Sequence, residues 1–382
     1  MSENFVVPNL AELRQRKSEK WRGFPSDVLP LPVAEMDFPI AEPIKDALRD
    51  MIDRSDTGYL GAIPELKDNF SIFAKKLWGW ELDPQNVRIA SDVGVAAIEI
   101  LRVLIKPGDK VLIDTPVYNN FFNWLNEVKA KVIEVPLRSE ELHYTYDLAG
   151  IESAYKSGVK VHLLCHPQNP TGTVHAKADL QKIADLAVAY GVTVISDEIH
   201  APLTYVTEDF YPFLAISDNA RRVGITITSA SKSFNIAGLK CAIIVSQDER
   251  LNDLLATMPM AVHYRASLFG GVASAAAFAH GSSWLTTALS QLDENRRLLD
   301  SLIRSRIPAI KYRIPDCSYL AWLDLSALNL GDNPAATLLE RGRVALNSGH
   351  TYGAPYSQFA RMNFATSPEL ITDGIERILK AI

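Results

Sequence analysis

Between residues 87 and 246 the chain alternates short apolar runs with segments in which apolar residues return every three or four positions. Val87-Arg88-Ile89-Ala90 reads as a strand, and Val93 to Ile105 as a helix closed by Lys106-Pro107-Gly108-Asp109. Further strands are predicted at Val111-Leu112-Ile113-Asp114, Lys131 to Val135, Val161-His162-Leu163-Leu164-Cys165, Val192 to Asp197, Val223 to Thr228 and Cys241 to Val245. Helices are predicted at Tyr118 to Val128, at Asp147 to Lys156 with Asp147 as N-cap, and at Lys177 to Tyr190. In the last of these Leu180, Ile183, Ala184 and Ala187 share one face, and Gly191 supplies the stop.

Strands that are apolar on both faces and alternate with helices predict an α/β fold, three layers deep around a mostly parallel central sheet. The flanks differ from this middle. Residues 1–45 are rich in proline and show little regular pattern. From residue 285 onward the pattern is helix, strands and helix, with strand candidates at Ile310 to Ile314 and Leu320 to Leu325. The predicted organisation is an N-terminal arm contributing to a small domain (1–45), a large domain (46–284) and a small α+β domain (285–382). There is no internal repeat and no low-complexity segment.

Composition narrows the functions open to such a fold. The chain has 382 residues, 47% hydrophobic and 22% charged, enough apolar material for large cores. Its formal charge of −6, without a block of lysine or arginine, argues against nucleic acid or an acidic membrane as partner. The start, Met1 to Pro8, lacks a basic segment followed by an apolar core, and no apolar stretch is long enough to span a bilayer. Cys165, Cys241 and Cys317 are odd in number and far apart, as expected of reduced thiols in a cytoplasmic protein.

In an open α/β sheet, ligands bind beyond the carboxyl ends of the strands, and several chemically loaded segments fall there. In Ser91-Asp92-Val93-Gly94-Val95-Ala96, Gly94 permits close backbone approach, and the amides of Val95 and Ala96 lie where a helix start attracts phosphate. The bland alternative is a plain turn glycine. Tyr118 could lie flat on a planar cofactor or simply pack at a helix start. Asn169, held in a proline-stiffened loop, is a good donor to a phenolate oxygen; the alternative is a turn of Asn, Pro and Gly. His162, Cys165 and His166 do not suggest a metal site, because His162 and Cys165 point to opposite faces of a strand. Asp197 ends an apolar strand, where an acid is costly unless paired, and a pyridinium N–H would satisfy it. Glu198 reads as structural, and His200 as either a cofactor neighbour or a satisfied histidine. Arg361 alternates with apolar residues in Phe359-Ala360-Arg361-Met362-Asn363, an inward position suited to a carboxylate or to a structural ion pair.

The most informative stretch is Thr226-Ile227-Thr228-Ser229-Ala230-Ser231-Lys232-Ser233-Phe234-Asn235. A β-branched run ends in small hydroxyl residues around one lysine. Lys232 is placed to be a desolvated amine nucleophile beside an anion site of hydroxyls, which is the chemistry of a Schiff base with a phosphorylated aldehyde. A surface lysine in a Ser-rich turn is the alternative for this motif alone.

Together, in order, the Gly94 loop, Tyr118, Asn169-Pro170-Thr171-Gly172, Asp197-Glu198, Ser229-x-x-Lys232 and Arg361 resemble the fold-type I PLP-dependent enzymes of the class I/II aminotransferase superfamily. Leu29-Pro30-Leu31-Pro32-Val33-Ala34-Glu35-Met36-Asp37-Phe38 and Ser196-Asp197-Glu198-Ile199-His200 point to its cystathionine β-lyase (MalY/PatB-type C–S lyase) branch. The resemblance implies that Lys232 binds pyridoxal 5′-phosphate and moves the α-proton. It implies that Asp197 pairs with the pyridine nitrogen, Asn169 donates to O3′, Tyr118 stacks on the ring and His200 lies beside it. The Val95 and Ala96 amides, Ser229 and Lys240 would bind phosphate; Arg361, Ala34 and Tyr59 would meet substrate. Tyr59 would also act in catalysis from a neighbouring subunit, which implies a homodimer. Three positions depart from the branch: Lys240 where many relatives carry Arg, Pro32 where Trp is usual, and Pro355-Tyr356 in a turn otherwise rich in glycine. The implied reaction is β-elimination from an S-substituted L-cysteine such as L-cystathionine. The rivals are an aminotransferase on the same scaffold and a non-catalytic regulatory protein that kept the fold.

Overall fold

The computed structural model describes residues 5–382; the sequence reading of Met1 to Asn4 lies outside the described residues. The N-terminal segment carries a two-residue strand, β1 (Leu29–Pro30). The central region supplies β2 (Val87–Ala90), β3 (Lys110–Thr115), β4 (Lys131–Pro136), a hairpin of β5 (Arg138–Glu140) and β6 (His143–Thr145), β7 (Val159–Cys165), β8 (Thr193–Asp197), β9 (Gly224–Thr228) and β10 (Ala242–Val245). The C-terminal part adds β11 (Lys311–Tyr312), β12 (Leu320–Asp324), β13 (Val344–Ala345), β14 (Asn347–Ser348) and β15 (Phe359–Asn363).

Seven strands form the main sheet in the order β2-β10-β9-β8-β7-β3-β4. The ladders β3·β4, β3·β7, β7·β8 and β8·β9 are parallel, and β10 runs antiparallel to both its neighbours. β8, β9 and β10 are buried at every position, as parallel strands sandwiched between helix layers must be. The edge strand β4 is mostly exposed or half-buried. Val111, Ile113, Val161, Leu163, Ile195 and Ile227 pack one face, with the helix Val93–Leu104; Leu112, Leu164 and Val194 face the other, with the helix Lys177–Tyr190. Gly191 ends the latter at φ 67°, the left-handed conformation that glycine accepts without strain.

The second sheet, β11-β12-β15-β14, is antiparallel and drawn wholly from the C-terminal part. β1 pairs in parallel with β13, so the arm is sewn to this part of the chain. The arm is more ordered than its composition predicts. Asn9 and Glu12 form a capping box at the helix Leu10–Leu13, and a second short helix spans Glu19–Arg22. Both expected domain boundaries fall inside helices, Glu42–Asp53 and Ser282–Arg306, so continuous rods and not linkers cross them.

Two local expectations change. The strand expected over Ile310 to Ile314 shortens to β11, because Arg313 turns to pair with Asp316 and Pro315 cannot extend the ladder. Asp147 occupies the cap position of the helix Leu148–Lys156, yet its carboxylate accepts from Arg138 instead of a helix amide. Among the described residues no helix is long and apolar enough to cross a membrane.

Candidate active site

The carboxyl ends of β7, β8 and β9 open toward β15 of the second sheet, and a cavity of about 450 Å³ lies between them. Its wall includes Asp92, Tyr118, Asn169, Asp197, Lys232 and Arg361. Cys165 and Asp197 are register partners at the ends of β7 and β8, and Lys232 sits in the single helical turn Ala230–Ser233 that follows β9. Ser229 caps that turn, accepting from the Ser231 amide at 3.0 Å, while its own hydroxyl donates to the Cys241 carbonyl at 2.6 Å.

Lys232 Nζ donates to the Ala34 carbonyl at 2.9 Å. Lost hydration, and secondarily the Arg361 guanidinium, lower its pKa to about 8. Asp197 accepts one hydrogen bond, from the Ile199 amide at 3.1 Å; its other oxygen has no protein partner among the described residues. Burial pushes Asp197 up to about 7, against the pull of Lys232. The adjacent Glu198 points away from the cavity and accepts from Ser196 Oγ, the Phe213 amide and Thr226 Oγ1, as its structural reading expected. Burial raises it to about 8.

Arg361 is 2% exposed and comes from the other sheet. Its Nη1 donates to Asn169 Oδ1 and its Nη2 to the Pro32 carbonyl, each at 3.0 Å, while buried Nε has no partner. Asn169 therefore presents its oxygen to Arg361 and keeps its N–H donors for the cavity. Tyr118 accepts from Asn120 Nδ2 at 2.7 Å and meets Trp124 edge-on. His200 answers to both of its readings: it lines the cavity, and its Nδ1 lies 3.0 Å from Ser318 Oγ. Burial first, then Lys232 and Arg361, lower its pKa to about 3, so it is neutral.

The anion end differs from expectation in register. The Val95 amide is held by Asp92 Oδ1 at 2.8 Å, and the Ala96 amide closes the first helical turn on the Asp92 carbonyl at 2.9 Å. The first amides of a helix have no acceptor within it, and here those of Val93 and Gly94 remain on the cavity wall. The anion site thus moves toward the start of the helix because Asp92 is its N-cap. Lys240 stands beside it with Nζ 3.2 Å from Asp92 Oδ2.

Tyr59 is outside the cavity, 91% exposed. The strap from Pro32 to Met36 enters the site through its main chain. Its five successive carbonyls accept from Arg361 and Asn347, from Asn363, from Lys232 and Tyr319, from Lys20 and Asn363, and from Arg16 and Asn235. Pro32 accordingly serves through its carbonyl, and Tyr356 of the proline-bearing turn donates its hydroxyl to the Thr115 carbonyl at 3.1 Å. Sequence reasoning missed Trp124 and Asn347. Trp124 could have been found by its closeness to Tyr118 in the chain; Asn347 carries no local signal. His162, set aside as a metal ligand, bonds to Tyr155 Oη at 2.8 Å and Asp114 Oδ2 at 2.6 Å.

A mixed α/β sheet with a lysine, an acid and an arginine converging on its carboxyl edge defines the PLP-dependent transferase class of fold. A model of the family "Aminotransferase class I and II" matches residues 26–378, and the chain belongs to that family. It is 38% identical, over 99% of each chain, to a Mycobacterium tuberculosis (strain CDC 1551 / Oshkosh) protein provisionally named a cystathionine beta-lyase. It is 32% identical to the cystathionine beta-lyase of Corynebacterium glutamicum, over 98% of this chain and 99% of that one. Among solved structures it resembles a PLP-bound protein of Clostridium difficile 630, provisionally named an aminotransferase. That match has a TM-score of 0.94 and 30% identity, over 99% of this chain and 100% of that one.

Proposed function

We propose that this chain is a PLP-dependent carbon–sulfur β-lyase that cleaves L-cystathionine or a related S-substituted L-cysteine to a thiol, pyruvate and ammonia. The observation that carries the reading is the convergence, in one cavity, of a lysine lowered to about 8 with an acid, an amide donor and a buried arginine.

The residues present fit PLP. Asp197 has an unpartnered oxygen for a pyridinium N–H, Asn169 has free N–H donors for O3′, and the Val93 and Gly94 amides offer a phosphate cradle. A cavity of about 450 Å³ is in the range of small-molecule sites. When bound, PLP supplies an electron sink for the charge left by α-proton removal. Lys232 Nζ, neutral for part of the time near pH 8, takes and returns the α-proton. Asp197 holds the proton on the pyridine nitrogen. Arg361 directs Nε and its Nη groups at the substrate carboxylate and so fixes which Cα bond is presented. The names of the full-length relatives favour loss of the β-sulfur over amino transfer.

We infer further that the enzyme works as a cytoplasmic homodimer. Tyr59 shares an exposed surface with Met260 and Tyr264, 77% and 53% exposed, and His263 Nε2 ties the two segments through the Gly61 carbonyl at 3.2 Å. The three cysteines are free and buried, in keeping with a reducing compartment. Light scattering that gives the mass of one chain would overturn the dimer. The test of the activity is purified protein with PLP and L-cystathionine. Pyruvate release is expected; amino transfer to a 2-oxo acid without pyruvate would establish the aminotransferase instead.

A further inference from the structure

The anion end of the cavity holds a carboxylate. Asp92 caps the helix Val93–Leu104 through Oδ1 and lines the cavity beside the Val93 and Gly94 amides. Its Oδ2 lies 3.2 Å from Lys240 Nζ. Apart from Lys232, engaged with the aldehyde, Lys240 is the cation at this end, and its charge faces an acid. Ser229 already directs its hydroxyl hydrogen at the Cys241 carbonyl. A phosphate dianion here would meet helix amides and hydroxyls but a side-chain charge close to zero, with one negative group in contact range.

We propose that Asp92 sets how much the phosphate contributes to cofactor binding: its carboxylate offsets Lys240 and repels the ester, so PLP is held chiefly through its aldehyde, ring oxygen and pyridine nitrogen. The proposal rests on the cofactor reading above. A residue that merely capped the helix would act on the fold and not on the ester's charge, which gives the experiment its contrast.

The experiment strips the full-length protein of cofactor and titrates it with PLP and, separately, with pyridoxal, which lacks the phosphate, following near-visible absorbance and tryptophan quenching. Asp92→Asn keeps a capping oxygen and removes the charge. It is expected to tighten PLP by about tenfold and leave pyridoxal within about twofold. In the Asp92→Asn background, Lys240→Ala is expected to reverse most of that gain, whereas in the wild type Lys240→Ala costs less. Asp92→Ser, a second capping residue, should repeat the result if the Asn variant folds poorly. Equal shifts for PLP and pyridoxal, or weaker PLP binding in both variants, would overturn the proposal. A wild type that develops no near-visible absorbance with either aldehyde would overturn the cofactor reading, and this inference with it.

Discussion

Two lysines in this chain are withdrawn from bulk water, and both touch the same strap. Lys20 is 0% exposed; its Nζ lies 2.8 Å from Asp37 Oδ2 and 3.4 Å from the Glu35 carbonyl. Lys232 faces the cavity, and its Nζ meets the Ala34 carbonyl at 2.9 Å, with a guanidinium nearby. The first lysine is given a carboxylate, itself held by Trp21 Nε1 at 2.9 Å, and becomes a fixed cation that fastens the arm. The second is given a neutral oxygen and a like charge, so its proton is easily lost and the amine can react. Position in the fold makes one residue type a clamp and the other a nucleophile.

The largest effect that sharpens this contrast is expected on activity. Lys232→Met should abolish the near-visible absorbance of bound PLP and lower pyruvate release by at least about a thousandfold, with the fold intact by circular dichroism. Lys20→Met should do the reverse. It leaves Asp37 buried without its cation and should cost about 3–5 kcal/mol in urea unfolding, while the cofactor absorbance persists in the folded fraction. Adding Asp37→Leu should recover part of that loss, because the unpaired carboxylate is removed. Equal loss of stability in the two single variants would break the contrast.

A smaller effect carries the same logic to the acids. Burial holds Asp197 near 7 and Glu198 near 8, whereas unfolded carboxyls ionise near 4. The folded chain then keeps protons that the unfolded chain has released, so these groups lower stability progressively as pH rises from about 4 to about 8. Buried His166 and His200, lowered to about 4 and about 3, oppose this below about 6.5. Glu198→Gln isolates the acid. Relative to wild type, the melting temperature of its cofactor-free form should improve steadily from pH 5 to pH 8. A constant offset would show that Glu198 does not take up the extra proton on folding. The smallest effect is the exposed control: Asp147→Ala loses only a surface pair with Arg138 and should change stability by no more than about 0.5 kcal/mol.

The same contrast explains how much could be read from the chain. β7, β8 and β9 were legible because strands buried on both faces need unbroken apolar runs, and the helix Lys177–Tyr190 because Gly191 marks its end. Lys232, Asp197 and Arg361 were legible because each interrupts an otherwise apolar or small-residue setting. The helices Leu10–Leu13 and Glu19–Arg22 were not, since four residues are too few to show a period. The shift of the anion site from Val95 and Ala96 to Val93 and Gly94 follows from which residue caps the helix, a choice settled by the path of the chain out of β2. Asn347, in contact with the Pro32 carbonyl at 3.1 Å, is brought there by sheet pairing across hundreds of residues.

The carbonyls of Pro32 to Met36 carry the strap's bonds to the site, while the side chains of Val33 and Ala34 line the cavity. Scaffold and lining are therefore separable in this segment. Randomising positions 33 and 34 to other L-residues of similar backbone preference would retain all five acceptors, so a small combinatorial library there could retune which thioethers are accepted without dismantling the frame that orients them.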